Sequence, residues 1–462
     1  MIAGVLSGPL WLDEVISVEI ARLPLPDLYA ALRQDGAPPL YYLLLKAWMT
    51  LVGTGTVAVR LLTALLVPVA LLLAWRLGSR LDGRAGGRAA VIVLATLPWL
   101  MRFGSETRMY LLVVVLVLSG ALALHTVRTT ASRRAVLTLA ALAGLLLLTH
   151  YWSLFLLTAV GLLHLPGLVR RRGDAVRVVL ALGVGGLLFL PWAPTFLFQA
   201  AHTGAPWAAP LTVAEFLRTP RYWGGGSVTF RTLLGLLLVP LAVWAAFRQP
   251  AARLLGGVAL LTLLLAWTTV FFGGGAYTGR YTAVAVPLVV VGAALGAAAL
   301  PGRRLPLVAL GLVAVLGISS GIPAAARTRT VAGGVVEAFR AAGGGPGDLL
   351  AYCPDQLAPP VWRLLDEQVE QVVYPSFGDP RRIDWVDYTA RQQAADPRAF
   401  AQQLSERAGH RPVFVLAAPH YRTFEGQCEA LLFSLGVLRR AGQQVYSETG
   451  RRAQILYRFA AS

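Results

Sequence analysis

Asp13 and Glu14 stand side by side directly after Leu10-Trp11-Leu12, which puts two carboxylates where an apolar stretch meets water. A carboxylate in that position can take a proton from an attacking hydroxyl or amine. Departure of a phosphate leaving group needs no acid, only cations that hold the negative charge developing on it. Lys46, Arg60, Arg108 and Arg280 lie at comparable boundaries between apolar runs and water. One base with several cations on the same face is the minimum kit for group transfer from a phosphate carrier. Each residue also has a plainer reading. Acids near a helix N-terminus are ordinary caps, and Arg108, two residues after Glu106, can simply pair with it. Lys46 is the sole lysine among 41 basic residues; its ammonium suits a point-charge phosphate contact, but snorkelling to headgroups would also place it there. Arg60 has only its placement in its favour. Arg280 follows the flexible Gly273-Gly274-Gly275 stretch and is the best phosphate clamp. His150 and Tyr151 sit at another boundary, where they can touch a substrate or join an aromatic interface belt.

Such residues must be held by elements that cross a membrane. Of the 462 residues 56% are hydrophobic and 14% charged, against about 25% charged in an average soluble protein. Apolar runs fall at 57–77, 88–103, 109–127, 135–150, 152–169, 177–198, 229–247, 254–272, 281–300 and 305–325. Crossing about 30 Å of hydrocarbon takes about 20 helical residues, so about ten spans are expected, several of them short or interrupted by Pro and Gly. After Arg327 the composition becomes that of a soluble protein. The expected organisation is a membrane domain over 1–330 and a soluble domain over 331–462, large enough for its own core.

Alternate loops sort by charge. One set holds Arg76, Arg80, Arg84 and Arg88, then Arg128, Arg133 and Arg134, then Arg170, Arg171, Arg172 and Arg177, and finally Arg248, Arg253, Arg303 and Arg304. The positive-inside rule makes these cytoplasmic. The opposite set carries Asp13, Glu14, Glu19, Asp27, Asp35, Glu106 and Glu215, with only Asp82 and Asp174 inside. Parity then puts the C-terminal domain outside as well. Much of the formal net charge of +18 sits in these loops, which argues against nucleic acid as a partner. Met1 to Leu10 is apolar but too short to span, and no basic n-region marks a signal peptide. It reads as the end of a span whose start is missing, or else the chain begins outside.

Residues 11–56 form the first outer loop. An amphipathic stretch (Val15 to Leu32) leads through the acidic turn Asp35-Gly36-Ala37-Pro38-Pro39 to an apolar-aromatic helix from Leu40 to Val52. Segments of this kind lie in the interface rather than cross it.

The ordered motifs resemble those of the GT-C glycosyltransferases, above all those akin to protein O-mannosyltransferases and the lipid A aminoarabinose transferase. They are Trp11-Leu12-Asp13-Glu14; Asp35-x-x-Pro38-Pro39-Leu40-Tyr41-Tyr42; Val59-Arg60-Leu61-Leu62-Thr63-Ala64-Leu65; Glu106-Thr107-Arg108-Met109-Tyr110; Thr149-His150-Tyr151-Trp152; and Gly279-Arg280-Tyr281. The resemblance implies a polytopic α-helical membrane protein that transfers a hexosyl or pentosyl group from a polyprenyl-phosphate donor. The acceptor would be an envelope glycan, lipid or protein on the outer face. It makes Asp13 the catalytic carboxylate with Glu14 beside it, Arg280, Arg108, Lys46 and Arg60 the donor-phosphate contacts, and His150, Tyr151, Tyr281, Asp35 and Glu106 substrate contacts. No cofactor is certain. A divalent metal is left open, since there is no Asp-x-Asp and two adjacent residues of a regular helix do not face one ion.

The C-terminal domain alternates short apolar runs with helical stretches. Strands are expected at Asp348–Tyr352, Gln371–Tyr374, Pro412–Ala417, Gln444–Ser447 and Gln454–Phe459, and helices near Pro359–Glu367, Ala399–Ala408 and Phe424–Arg440, an α/β domain. It has no Gly-rich phosphate fingerprint. Asp384-Trp385-Val386-Asp387-Tyr388 is either an exposed loop or an aromatic and acidic set for carbohydrate. Cys353 and Cys428, the only cysteines, can form a disulfide in an oxidising compartment or remain two buried thiols. Two other classes stand beside the enzyme: a transporter or flippase of lipid-linked precursors, and a non-enzymatic component of envelope assembly. Transporters tend to carry internal repeats and ionisable groups at mid-membrane, whereas here the carboxylates crowd one face.

Overall fold

The computed structural model describes residues 6–208, 210–365, 368–418, 421, 424–440, 442–450 and 453–460. Contacts divide the chain into two compact units. One comprises residues up to Leu6, Ala37–Phe198 and Ala208–Arg327; the other joins Ser7–Gly36 and Gln199–Trp207 to Thr328–Ser462.

The first unit is helical. Among the described residues six helices are long and apolar enough to cross a membrane: Thr56–Ala95, Tyr110–Thr129, Gly173–His202, Val228–Arg248, Pro250–Gly273 and Arg304–Ala326. Leu40–Val52, Ser153–Val169 and Val286–Ala298 are shorter apolar helices, and Arg133–Leu147 precedes the second of these. The protein is therefore a multi-pass membrane protein, and each apolar run of the sequence holds a helix. The difference from ten uniform spans has physical causes. The runs at 57–77 and 88–103 are, as expected, two helical arms, within Thr56–Ala95 and parted at Asp82 and Gly83, where Gly83 takes φ 61°. The two arms fold back on each other so tightly that a Cβ on Gly78 would lie 2.5 Å from the Gly86 carbonyl oxygen. The run at 281–300 begins as the 3₁₀ turn Tyr281–Val284 before Val286–Ala298. That last helix is short because it is central: nearly every residue in it is buried. Backbones approach where side chains vanish, since a Cβ on Gly296 would meet the Leu241 carbonyl at 1.8 Å. Small residues are the usual means of close helix packing in lipid.

The second unit is built on a five-stranded sheet. Its strands are β1 (Leu349–Cys353), β2 (Glu370–Val373), β3 (Val413–Ala417), β4 (Gln443–Glu448) and β5 (Gln454–Phe459), in the order β2-β1-β3-β5-β4. β1 runs parallel to β2 and β3, while β5 is antiparallel to β3 and β4. β1 and β3 are buried along their whole length, as central strands covered on both faces must be. Val335, Val336 and Phe339 of helix Ala332–Ala341 cover one face together with Val361, Phe414 and Leu456. All five expected strands are present, shifted by a residue or so. The expected helices appear as Ala358–Trp362, Pro397–Ala408 and Gln427–Arg439; part of the first, Asp366 and Glu367, lies outside the described residues. Cys353, at the end of β1, and Cys428 are joined by a disulfide.

Residues 12–35 belong to this unit as two helices, Leu12–Arg22 and Leu25–Asp35. Pro24 separates them, because it cannot donate to a helix that would run through it. The second ends at Gly36 with φ 81°, a left-handed cap that glycine adopts without strain.

Candidate active site

In the membrane unit the sequence motifs at 106–110, 149–152 and 279–281 come together. Arg108 occupies the turn between Pro98–Phe103 and Tyr110–Thr129, where its amide donates to the Glu106 carbonyl at 2.7 Å. Its guanidinium donates to the Tyr42 hydroxyl at 3.5 Å and lies 6.0 Å from the Tyr110 ring centroid. Arg280 lies 5.5 Å from the Tyr281 centroid. The Tyr110 and Tyr281 rings are 6.5 Å apart, with His150 6.0 Å from the first and 5.2 Å from the second. The positive fields of both arginines reach His150. A guanidinium over an aromatic ring has its plane fixed by that ring.

Local sequence explains why these groups hold still. The Trp99 indole donates to the Gly279 carbonyl at 2.9 Å, Thr282 donates to the same carbonyl at 2.7 Å, and the Trp223 indole donates to Thr282 at 3.0 Å. Position 279 must be glycine for packing, because a Cβ there would sit 2.6 Å from the Tyr222 Cβ. Gly274 and Gly275, at φ 78° and 110°, deliver the chain to this turn in a conformation other residues resist. The His150 imidazole is fixed from its own turn: the Trp152 amide donates to Nδ1 at 3.1 Å. Nδ1 is therefore an acceptor, the ring is neutral, and the proton is assigned to Nε2.

The remaining predicted cations stand differently. Lys46 is half-buried on Leu40–Val52. Arg60 is 1% exposed and donates to the Leu6 carbonyl at 3.0 Å, the geometry of a tie between chain segments. Glu106 is fully buried and pairs with Arg102 at 3.5 Å. The Tyr151 hydroxyl accepts from the Trp192 indole at 2.9 Å.

In the second unit the two adjacent carboxylates differ in burial. Glu14 is fully buried: one oxygen accepts from the Trp11 amide at 3.3 Å and the other faces Arg329 at 3.4 Å. It caps the helix that carries it. Asp13, next to it, is half-buried. Asp35 is the last residue of its helix. Glu19 pairs with Arg22 at 3.0 Å and Arg363 at 3.2 Å.

Sequence reasoning missed a group in the same unit. The Tyr388 hydroxyl donates to Asp355 at 2.5 Å and accepts from the Gln356 amide at 2.7 Å. Burial pushes the Asp355 carboxyl up to about 7, against the pull of the Tyr388 hydroxyl. Tyr421 is raised as well, by burial and then by the negative charges of Asp355 and Asp13. The only hint was Tyr388 in the acidic-aromatic run at 384–388. Among the described residues no cluster of three His, Cys, Asp or Glu side chains could hold a metal ion.

Residues 36–196 match the family model described as dolichyl-phosphate-mannose-protein mannosyltransferase. Among solved structures the chain is similar to ArnT from Cupriavidus metallidurans, at 15% identity and a TM-score of 0.62 over 98% of this chain and 95% of that one. The same protein bound to undecaprenyl phosphate gives 14% and 0.60 over 99% and 96%. The oligosaccharyltransferase of Archaeoglobus fulgidus, tethered to an acceptor peptide, gives 11% and 0.52 over 99% of this chain and 70% of that one. No curated protein matches significantly.

Proposed function

We propose that the protein transfers a sugar from a polyprenyl-phosphate donor to an acceptor of the cell envelope, on the outer face of the membrane, with Asp13 as general base. The observation that carries this reading is the pair of guanidinium groups, Arg108 and Arg280, gathered around His150, Tyr110 and Tyr281. Two fixed cations match a leaving phosphate, whose charge rises as the glycosidic bond breaks. His150, with Nε2–H as donor, and Tyr281 suit the hydroxyls of a sugar. Lys46 supplies a further point charge at the phosphate, and Tyr151, Asp35 and Glu106 serve the substrates by position. Arg60, tied to Leu6, supports the fold of the site. Undecaprenyl phosphate bound to the similar ArnT supports the donor class.

Of the two neighbouring carboxylates, Asp13 is the better base. Glu14 is fully buried, caps its own helix and faces Arg329, whereas Asp13 is half-buried and holds the Asp position of the Trp11-Leu12-Asp13-Glu14 motif. In the reaction the acceptor O–H or N–H gives its proton to Asp13 as its oxygen or nitrogen bonds to the anomeric carbon. The bond from that carbon to the phosphate oxygen breaks, and its electron pair leaves on polyprenyl phosphate. The sorting of arginines supports an outer location for the site and for the C-terminal domain.

The test is to give the purified protein polyprenyl-phosphate sugars with a panel of envelope acceptors. Release of free polyprenyl phosphate with sugar on the acceptor supports the reading. A flippase or an assembly scaffold would bind or move the lipid without cleaving it, and an intact donor across the panel would sink the proposal.

A further inference from the structure

The arginine-rich end of the membrane unit contains a cavity that the transfer chemistry does not use. It measures about 920 Å³ and lies between Thr56–Ala95, Tyr110–Thr129 and Arg133–Leu147. That volume is near the top of the usual range of ligand pockets, about 300–1,000 Å³. Its lining is of two kinds. Arg76, Arg80 and Arg134, with Ser79 and Ser132, form one part, and Leu122 and Leu142 are among the apolar residues of the other. No carboxylate is among its lining residues.

The polar part has the makings of an anion site. Arg76 and Arg80 are one helical turn apart and so share a face. Arg134 lies in the first turn of Arg133–Leu147, whose cap is Ser132, so the helix end adds its positive field and its unbonded amides to the same place. All three guanidinium groups are exposed and able to close on a ligand. The Ser79 hydroxyl is buried against Gly87 of the facing arm and holds the two arms together rather than facing the cavity. The apolar part decides what kind of anion fits. A soluble ion would leave the leucine wall wet, whereas a hydrocarbon chain would cover it. Basic pockets between membrane helices are suited to phosphate headgroups for the same reason.

We propose that this cavity binds an anionic lipid, its phosphate held by Arg76, Arg80 and Arg134 and its chain laid along the Leu122 and Leu142 wall. The site is independent of the donor site and of which residue is the base.

The experiment uses the full-length protein in a zwitterionic detergent, with bound lipid counted by native mass spectrometry. Dioleoyl phosphatidic acid should bind at least about tenfold more tightly than dioleoyl phosphatidylcholine, and the triple change Arg76→Gln, Arg80→Gln, Arg134→Gln should remove about that factor. Ser119→Trp keeps every charge and fills part of the cavity, and it should also lose the phosphatidic acid. This second variant decides the matter should the triple variant fail to fold. Equal retention of the two lipids would overturn the proposal, as would wild-type binding in either variant. Inorganic phosphate is the remaining arm. If millimolar phosphate displaces phosphatidic acid, the site belongs to a soluble anion and the lipid assignment is wrong; continued retention of the lipid supports it.

Discussion

The imidazole of His150 meets the ring of Tyr281 edge to face, with centroids 5.2 Å apart. This contact joins two turns that are remote in sequence and gives Arg280, the residue before Tyr281, a fixed base. A guanidinium held in this way can grip two phosphate oxygens at once, and its pull grows as the bridging oxygen gains charge. Arg280→Lys keeps the charge but loses the fork, so kcat at saturating donor should fall about tenfold or more, and Arg280→Ala should fall further. A lysine variant as fast as wild type would reduce Arg280 to a headgroup anchor. Tyr281→Phe retains the ring contact and should cost much less than Tyr281→Ala.

The second unit carries a pH signature in Asp355. Its folded carboxyl titrates at about 7, above the 3.8 of an unburied aspartate. The folded state therefore holds the proton more tightly, and ionisation works against folding. The cost is absent below about pH 4, grows between pH 4 and 7, and is complete above that range. Asp355→Asn keeps an acceptor for the Tyr388 hydroxyl and removes the charge. It should raise the unfolding temperature at pH 8 and change it little at pH 4, with a gain of at most about 4 kcal/mol. An equal difference at both pH values would show that Asp355 is not the titrating group.

The disulfide between Cys353 and Cys428 ties the end of β1 to helix Gln427–Arg439 across 75 residues. Closing a loop of that length in the unfolded chain is worth about 4 kcal/mol in the chain-entropy account. Replacing both cysteines by serine should lower the melting temperature of the second unit by several degrees. Reductant should do the same to wild type and nothing further to the double variant. A reductant effect of equal size in both proteins would point elsewhere.

Orientation can be read from a single thiol. Both native cysteines are in the disulfide, so a cysteine introduced at the exposed Arg398 would be the one reactive group. In intact cells with outer barriers opened, a membrane-impermeant maleimide should label it. Labelling only after lysis would put the C-terminal domain in the cytoplasm and remove the outer site with it.

Periodicity carried much of this fold. Apolar runs located the membrane helices, and short β-branched runs such as Val413-Phe414-Val415-Leu416 located the strands, because both depend on local pattern. The fold-back between the runs at 57–77 and 88–103 was legible from the arginines between them, but its exact place at Asp82-Gly83 was not, since Gly83 reads the same whether a helix continues or turns. Nor did spacing show that Glu14 would be taken up by Trp11 and Arg329. Arg108, His150 and Arg280 could be listed from their motifs, but their gathering around Tyr110 and Tyr281 is tertiary. The Asp355, Tyr388 and Tyr421 group left still less trace, because its members come from three segments distant in sequence and share no motif.

The central claim, sugar transfer from a polyprenyl-phosphate donor with Asp13 as the base, is tested most directly in a single turnover. Purified wild type and Asp13→Asn are loaded with labelled donor, acceptor is added, and free polyprenyl phosphate is followed in time. The account predicts release by wild type and equal donor binding by the variant, with release slowed about 10²–10⁴-fold, as loss of a general base usually costs. Release by Asp13→Asn at more than about a tenth of the wild-type rate, or an intact donor with wild type, would contradict it.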